Sequence, residues 1–511
     1  MRLSIAGLVL CLSVQGMGQS DSLIERYAAT ITEADLRSYL TVLASDAYEG
    51  RETGMNGQKM AARFIQEHFA SFGIPPVPQA EERGLLAGYQ QSFPLVLSEP
   101  GGVSVLAAGR SFGFMEDYFY FSEKLREPVK VDHFTYAGDG TNVPADARFS
   151  EVTLMMLPAG AMSSNGSAPS GTFHGRLQQL SGLAAQHNAR VLLIASPEEP
   201  EMAKAFAHYI NSPRMRLASD VVVEEKGQLQ TIVISQAMAV SMLERAGWNW
   251  KKAVHKQARP PVSLACPVQL TYTPRQRDLT GENVLGYIEG SDKKGELVVV
   301  TAHYDHIGKE GDEVYNGADD DGSGTVAVLE MAQAFVRAKA EGHGPRRSML
   351  FMTVSGEEKG LLGSEWYSDH PVFPLDSTVA DLNIDMIGRV DSAHMGSGPY
   401  VYVIGSRMLS TELGEINEAQ NAATTKLALD YTFDAPGDPN RFYYRSDHYN
   451  FAKHGIPVIF YFSGVHADYH GPHDEVDRIR FDLLHERALL VFHTAWELAN
   501  RDQRIVVDKA Q

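Results

Sequence analysis

The chain has 511 residues, of which 44% are hydrophobic and 21% charged, and a formal net charge of −19. That length exceeds one ordinary domain and leads to an expectation of two or three. The composition is that of a globular protein with ample core, and the acidic balance argues against nucleic acid or an anionic membrane as partner.

The first residues, "MRLSIAGLVLCLSVQGMGQS", have the form of a secretory signal. Arg2 supplies the charged start, Leu3 to Val14 the apolar stretch, and Gly16-Met17-Gly18 a small-x-small cleavage site. The apolar run is shorter than the roughly 20 residues of a spanning helix, and no later segment is long and apolar enough to span. The expectation is an exported chain without stable membrane insertion, with residues 1–18 removed. Processing leaves Cys266 as the sole cysteine, which excludes an intramolecular disulfide and leaves His and carboxylates to hold any metal.

"TEADLRSYLTVLASD" predicts a helix capped by Thr32, and "GQKMAARFIQEHFASFG" a second ending at Gly73, with "DAYEGRETG" as a loop between them. From about residue 111 to 262 the texture changes. Short apolar runs ("EVTLMML", "ARVLLIAS", "QTIVIS") alternate with a helix-like "GRLQQLSGLAAQHNA" and with Gly/Ser/Pro-rich stretches, of which "PAGAMSSNGSAPSG" is the clearest flexible segment. Asn165 in that segment matches a glycosylation sequon, a short and weak pattern. This region reads as a smaller inserted α+β domain. It separates an N-terminal part, residues 19–110, from a C-terminal part, residues 263–511.

In the C-terminal part, strands and helices alternate. "GELVVVTA", "RSMLFMTVS", "VADLNIDM", "YVYVIG" and "IPVIFYF" predict strands. "GTVAVLEMAQAFVRAKA", "STELGEINEAQNAA", "SDHYNFAKHG" and "RFDLLHERALLVFHTAWELAN" predict helices. Near-continuous apolar strands separated by helices imply an α/β fold, a mainly parallel sheet sandwiched by helices. Polar clusters follow the strands at one end. "VVVTA" runs into His303 and Asp305, "FMTVS" into Glu357 and Glu358, "ADLNI" into Asp385, and "VIFYF" is followed by "HADYHGPHDEVD". Ligands of open α/β sheets bind outside the carboxyl ends of the strands, so four separate segments aim metal-type donors at one place. His, Asp and Glu without Cys suit a divalent cation, zinc first. The stretch "YNGADDDGSGT" adds three adjacent aspartates. Their repulsion is offset if one of them bridges two cations, whereas an EF-hand loop would alternate its acidic positions.

"TAHYDHIG", "NGADDDGSG", "SGEEKGLLGS", "NIDMIG" and "DYHGPHDEVD" occur in the order seen in the two-zinc aminopeptidase family, which includes secreted bacterial leucine aminopeptidases and plasma glutamate carboxypeptidases. The resemblance covers residues 278–500, and the segment "LASDAYEGRETGMNGQKMAARFI" also looks like the family's N-terminal part. The middle region resembles, more loosely, its protease-associated insertion. The resemblance implies two zinc ions per chain. Asp319 would bridge them, His303 and Asp385 would complete one site, and Glu358 and a C-terminal His the other. Glu357 would be the general base, Asp305 would accept the other ring N–H of His303, and Asp320 would shape the loop, where the family has a cis peptide after the bridging Asp. His466, His470 and His473 share the last loop. His470, four residues before Asp474, fits the family's phrasing, while His473 before Asp477 corresponds to a shifted alignment. Tyr469 is read either as a group for the tetrahedral intermediate or as packing. Asp447 and His448 are read as a helix start outside the ligand set.

The implied activity is zinc-dependent hydrolysis of the N-terminal peptide bond of peptides with a free N-terminus. A dipeptidase or carboxypeptidase of the same family, a glutaminyl cyclase and a noncatalytic binding protein are the alternatives. A basic pocket would favour the dipeptidase or carboxypeptidase, and sequence does not place Arg441 or Arg445 in the cleft.

Overall fold

The structure, a computed structural model, describes residues 23–157, 173–221, 228–255, 261–435 and 437–509. The signal-like residues 1–18 and the segment 158–171 with its sequon lie outside them. The chain divides into two compact units, one formed by Met1–Leu95 with Leu279–Gln511 and the other by Val96–Asp278.

The first unit is built on a mixed sheet. Its strands are β1 (Leu85–Leu86), β2 (Gln90–Ser98), β3 (Gln276–Ile288), β4 (Lys293–His303), β5 (Arg347–Val354), β6 (Thr378–Ile384), β7 (Tyr400–Ile404), β8 (Ala428–Asp430) and β9 (Val458–Phe462). They lie in the order β1-β2-β3-β5-β4-β6-β9-β7-β8. The central β5-β4-β6-β9 pairings are parallel, while β3 and β7 flank them antiparallel. The strands read as continuous apolar runs because both faces are covered. Val298, Val300, Met349 and Phe351 enter one core with Phe335, Phe492 and Trp496. The alternating Val299, Leu350 and Met352 enter the other with Tyr367 and Phe451.

The helices follow the predicted runs. α1 (Glu33–Leu43) is capped by Thr32, whose side chain accepts from the Asp35 amide, and α2 (Asn56–Phe72) ends at a left-handed Gly73. α3 (Gly324–Ala340), α4 (Leu362–Asp369), α5 (Thr411–Ala423), α6 (His448–Ala452) and α7 (Phe481–Asn500) complete the unit. The predicted loop before α2 holds a 3-10 turn, Asp46–Arg51.

The second unit has its own eight-stranded sheet, in the order Arg110–Phe112, Val103–Ala107, Val262–Tyr272, Val129–Tyr136, Val152–Met156, Val191–Ser196, Gln230–Ser235 and Tyr118–Phe119. It is wider than the expected 111–262. Val103–Ala107 and Val262–Tyr272 pair antiparallel with each other, so both flanks belong to this sheet and its core. Single apolar runs do not disclose which partner a strand chooses.

Candidate metal centre

Each parallel strand delivers its donors where it ends. His303 is the last residue of β4, Glu357 and Glu358 follow β5 after a short turn, Asp385 follows β6, and the loop after β9 carries His470. Two groups of donor atoms form there, His303 with Glu357 and Asp385, and His306 with Asp320 and Glu358. Within each, the donor atoms lie within 4.8 Å of one another.

Asp320 joins the two groups. Its Oδ1 lies 3.3 Å from His303 Nε2, and its Oδ2 lies 3.2 Å from His470 Nε2 and 3.8 Å from His306 Nδ1. The expected bridge, Asp319, is turned away from this cluster. Its Oδ1 accepts from the Gly388 amide at 2.5 Å, and its Oδ2 lies 3.4 Å from His466 Nε2. The reason is the path of the loop. Asp474 Oδ2 accepts from the amides of both Asp319 and Asp320 at 3.0 Å, which fixes the two residues on one anchor and sends their side chains apart. Asp321 caps α3 through the Gly324 amide at 2.9 Å and ties in Met386 N at 3.0 Å. The Asp320–Asp321 peptide is cis. Gly317, at φ +52, starts the loop, and a Cβ there would lie 2.2 Å from the Asp320 carbonyl oxygen and 2.5 Å from the His306 ring, so only glycine fits.

Asp385 Oδ1 lies 3.6 Å and Glu357 Oε2 3.9 Å from His303 Nε2. Glu358 has a histidine on each oxygen, with His470 Nε2 3.2 Å from Oε2 and His306 Nδ1 2.8 Å from Oε1. His303 Nδ1 faces the main-chain oxygen of Asp305 at 3.1 Å, closer than that residue's carboxylate at 3.7 Å. The carboxylate expected to take the imidazole N–H instead accepts from Thr53 Oγ1 at 2.6 Å and from the Glu357 amide at 3.3 Å. It ties the Glu357 turn to the N-terminal segment. In the last loop, His466 is buried against Asp319, His473 is exposed, and His470 alone of the three reaches the cluster.

Charges in the cluster are strongly coupled to burial. Burial pushes the Glu357 carboxyl well above the usual carboxylate range, and Asp385 and Glu358 push the same way against His303. Burial would also raise Asp320, but the facing His303 and His470 rings hold it well below the ordinary value. For His470 burial acts downward and is outweighed by Asp320 and Glu358, which lift it to about 10.

The buried atoms Asp320 Oδ2, Glu358 Oε1 and both ring nitrogens of His306 have no hydrogen-bond partner, the close His306–Glu358 approach lacking the alignment of one. Buried polar atoms normally find partners. Divalent cations among these N and O donors fit that pattern, and Cys266 is buried in the core of the other unit. Beside the cluster opens a cavity walled by Met386, Phe442, Phe460 and Phe462, with Glu357, Asp385, Tyr469 and Arg445 around it. Arg441 does not line it. Asp447 is buried and bonded to Ser364 Oγ at 2.5 Å, and His448 stacks on Phe460; neither joins the cluster.

Sequence reading missed three groups. His306, in "HYDHIG", is three residues beyond His303, and its signal was that spacing alone. Asp474 was visible only as a landmark for His470. Arg51 had no signal. It is fully buried and donates to the carbonyls of Leu43, Tyr304, Asn316 and Gly317 at 2.6–3.0 Å, which ties the N-terminal segment to the aspartate loop.

Helices on both faces of a mainly parallel sheet, with two adjoining His/carboxylate groups at the strand ends, define a class of α/β protein suited to holding a pair of divalent cations. Residues 283–495 match the sequence model of peptidase family M28. Aminopeptidase YwaD of Bacillus subtilis is 28% identical over 240 residues, 45% of this chain and 48% of that protein. A probable leucine aminopeptidase of Arthroderma otae is 32% identical over 227 residues, 42% of this chain and 57% of that protein. The chain spans about half the length of these curated relatives. In fold it is similar to a solved aminopeptidase from Aneurinibacillus sp. strain AM-1, with a TM-score of 0.51 and 17% identity over 96% of this chain and 98% of that one.

Proposed function

We propose that the protein is an exported zinc-dependent aminopeptidase that hydrolyses the N-terminal bond of peptides, in which His303, Asp385, Asp320, Glu358 and His470 would hold the two ions. The observation that carries this reading is the Asp320 carboxylate, one oxygen directed at each group, beside a cavity lined by Glu357. The names of the relatives support the substrate class. Bound zinc supplies Lewis-acid polarisation of the scissile carbonyl and a more acidic attacking water. Glu357 does the proton work. Its side chain is little exposed and outside the ligand set, and burial makes its carboxylate a stronger base than an exposed one. It accepts a proton from the attacking water and returns it to the nitrogen of the departing amine. The Asp305 carboxylate holds the Glu357 amide in place for both transfers.

Glu357→Gln is expected to retain both ions, counted by elemental analysis after dialysis, while kcat falls by about a hundredfold or more. Near-normal turnover in this variant would remove Glu357 from the mechanism. Cleavage of free but not N-acetylated peptides, abolished by chelation and restored by zinc, tests the activity itself. N-terminal sequencing of exported protein should begin near Gln19.

A dipeptidase reading of the same site is favoured by one observation. Arg445, unlike Arg441, lines the cavity.

A further inference from the structure

The cavity is lined by the carboxylates Asp320, Glu357 and Asp385, by the guanidinium of Arg445, and by the apolar side chains of Met386, Phe442, Phe460 and Phe462. Arg445 is exposed, and among the described residues it has no carboxylate partner within ion-pair distance. Arg389, by contrast, pairs with Asp468 at 2.7 Å. Two aromatic groups place the Arg445 side chain. Its guanidinium carbon stands 4.7 Å from the centre of the Phe442 ring, and Nη2 lies 3.5 Å from the Tyr469 hydroxyl. Tyr469 in turn stacks on His470, with ring centres 3.9 Å apart, so the cation is connected to the donor cluster through a single ring.

We infer that Arg445 is the receptor for a substrate carboxylate, and that the cavity takes short peptides that place a carboxylate at this guanidinium. The inference rests on the peptidase reading and narrows it to a substrate class. An arginine fork accepts a carboxylate through two parallel N–H···O bonds, and a cation stacked on an aromatic face is already oriented for that contact. The carboxylate has two possible sources, the C-terminus of a di- or tripeptide or an acidic side chain.

The experiment compares the full-length zinc-loaded protein with Arg445→Gln and Arg445→Lys on three pairs of substrates. These are Leu-Leu against Leu-Leu-amide, Leu-Gly-Gly against its amide, and glutamyl against leucyl p-nitroanilide. The expected result is a loss of about ten- to a hundredfold in kcat/KM, mainly through KM, for Arg445→Gln on the carboxylate-bearing members only, the scale of one charge-assisted contact. Lys should restore part of it. Loss confined to the free peptides assigns the carboxylate to the C-terminus, and loss confined to the glutamyl substrate assigns it to the side chain. Equal losses on charged and neutral members, or no loss on either, overturn the role of Arg445 while leaving the peptidase reading intact. Failure of the wild type to cleave any of the six overturns both.

Discussion

Three adjacent aspartates have three different partners, and that is how their charge is accommodated. Asp319 is held by a backbone amide and faces His466, Asp321 caps a helix, and only Asp320 faces the histidines of the donor cluster. Spacing in a sequence does not separate neighbours like these, because the choice is made by the anchor at Asp474 and the glycine at 317, both of which act on the backbone. The distinction is testable by substitution. Asp320→Asn should bind both ions at least tenfold more weakly, measured by competition with a chromophoric chelator. Asp319→Asn should keep both and instead lower the melting temperature. Equal metal loss in the two variants would return the bridge to an open question between them.

At the scale of elements, much was legible. The apolar runs predicted β4, β5, β6, β7 and β9 and the helices packed on them, because strands covered on both faces and helices of their length leave a pattern in one dimension. The location of the site was legible for the same reason, since donors following successive parallel strands converge at one sheet edge. What was not legible depends on long-range pairing: β3 at the flank, the outer strands of the inserted sheet, and Arg51, whose four carbonyl partners lie up to 266 residues away.

The same element scale holds an electrostatic feature outside the site. Glu330, buried in α3, accepts from the Thr32 amide at the start of α1 at 3.2 Å. Burial pushes its carboxyl up to about 8, with Asp35 adding to the rise and the Thr32 amide and Arg337 opposing it. A carboxyl raised on folding stabilises fully only below its unfolded value near 4.5. Between that value and about 8 the unfolded chain ionises first, and stability falls by about 1.4 kcal/mol per pH unit for this group. Glu330→Gln keeps an acceptor for Thr32 and removes the titration. It should melt a few degrees higher than wild type at pH 8.5 and within a degree of it at pH 4. An equal difference at both pH values would mean that Glu330 does not titrate in this window.

On the scale of the whole molecule, the metal-binding unit is discontinuous in sequence. Residues before the insertion supply Arg51 and Thr53, which hold the aspartate loop and Asp305, and residues after it supply every donor. The two segments meet in one ladder. Leu285 N donates to Tyr89 O and Gly281 lies against Phe93, an antiparallel register that, extended to the ends of this unit, brings Leu95 and Leu279 opposite each other. The insertion therefore leaves and re-enters at neighbouring positions on adjacent strands, where a hairpin turn is geometrically sufficient. A chain of residues 23–95 joined through a two-residue Asn-Gly turn to residues 279–509 should fold with a cooperative melt and bind two ions. Residues 279–509 alone should bind none, because the loop carbonyls lose the Arg51 guanidinium and Asp305 loses Thr53. The comparison is made by circular dichroism and by metal counting on both proteins. Two ions retained by the shorter chain would show that the donors after the insertion organise themselves, and would reduce Arg51 from an anchor of the site to a stabiliser of the fold.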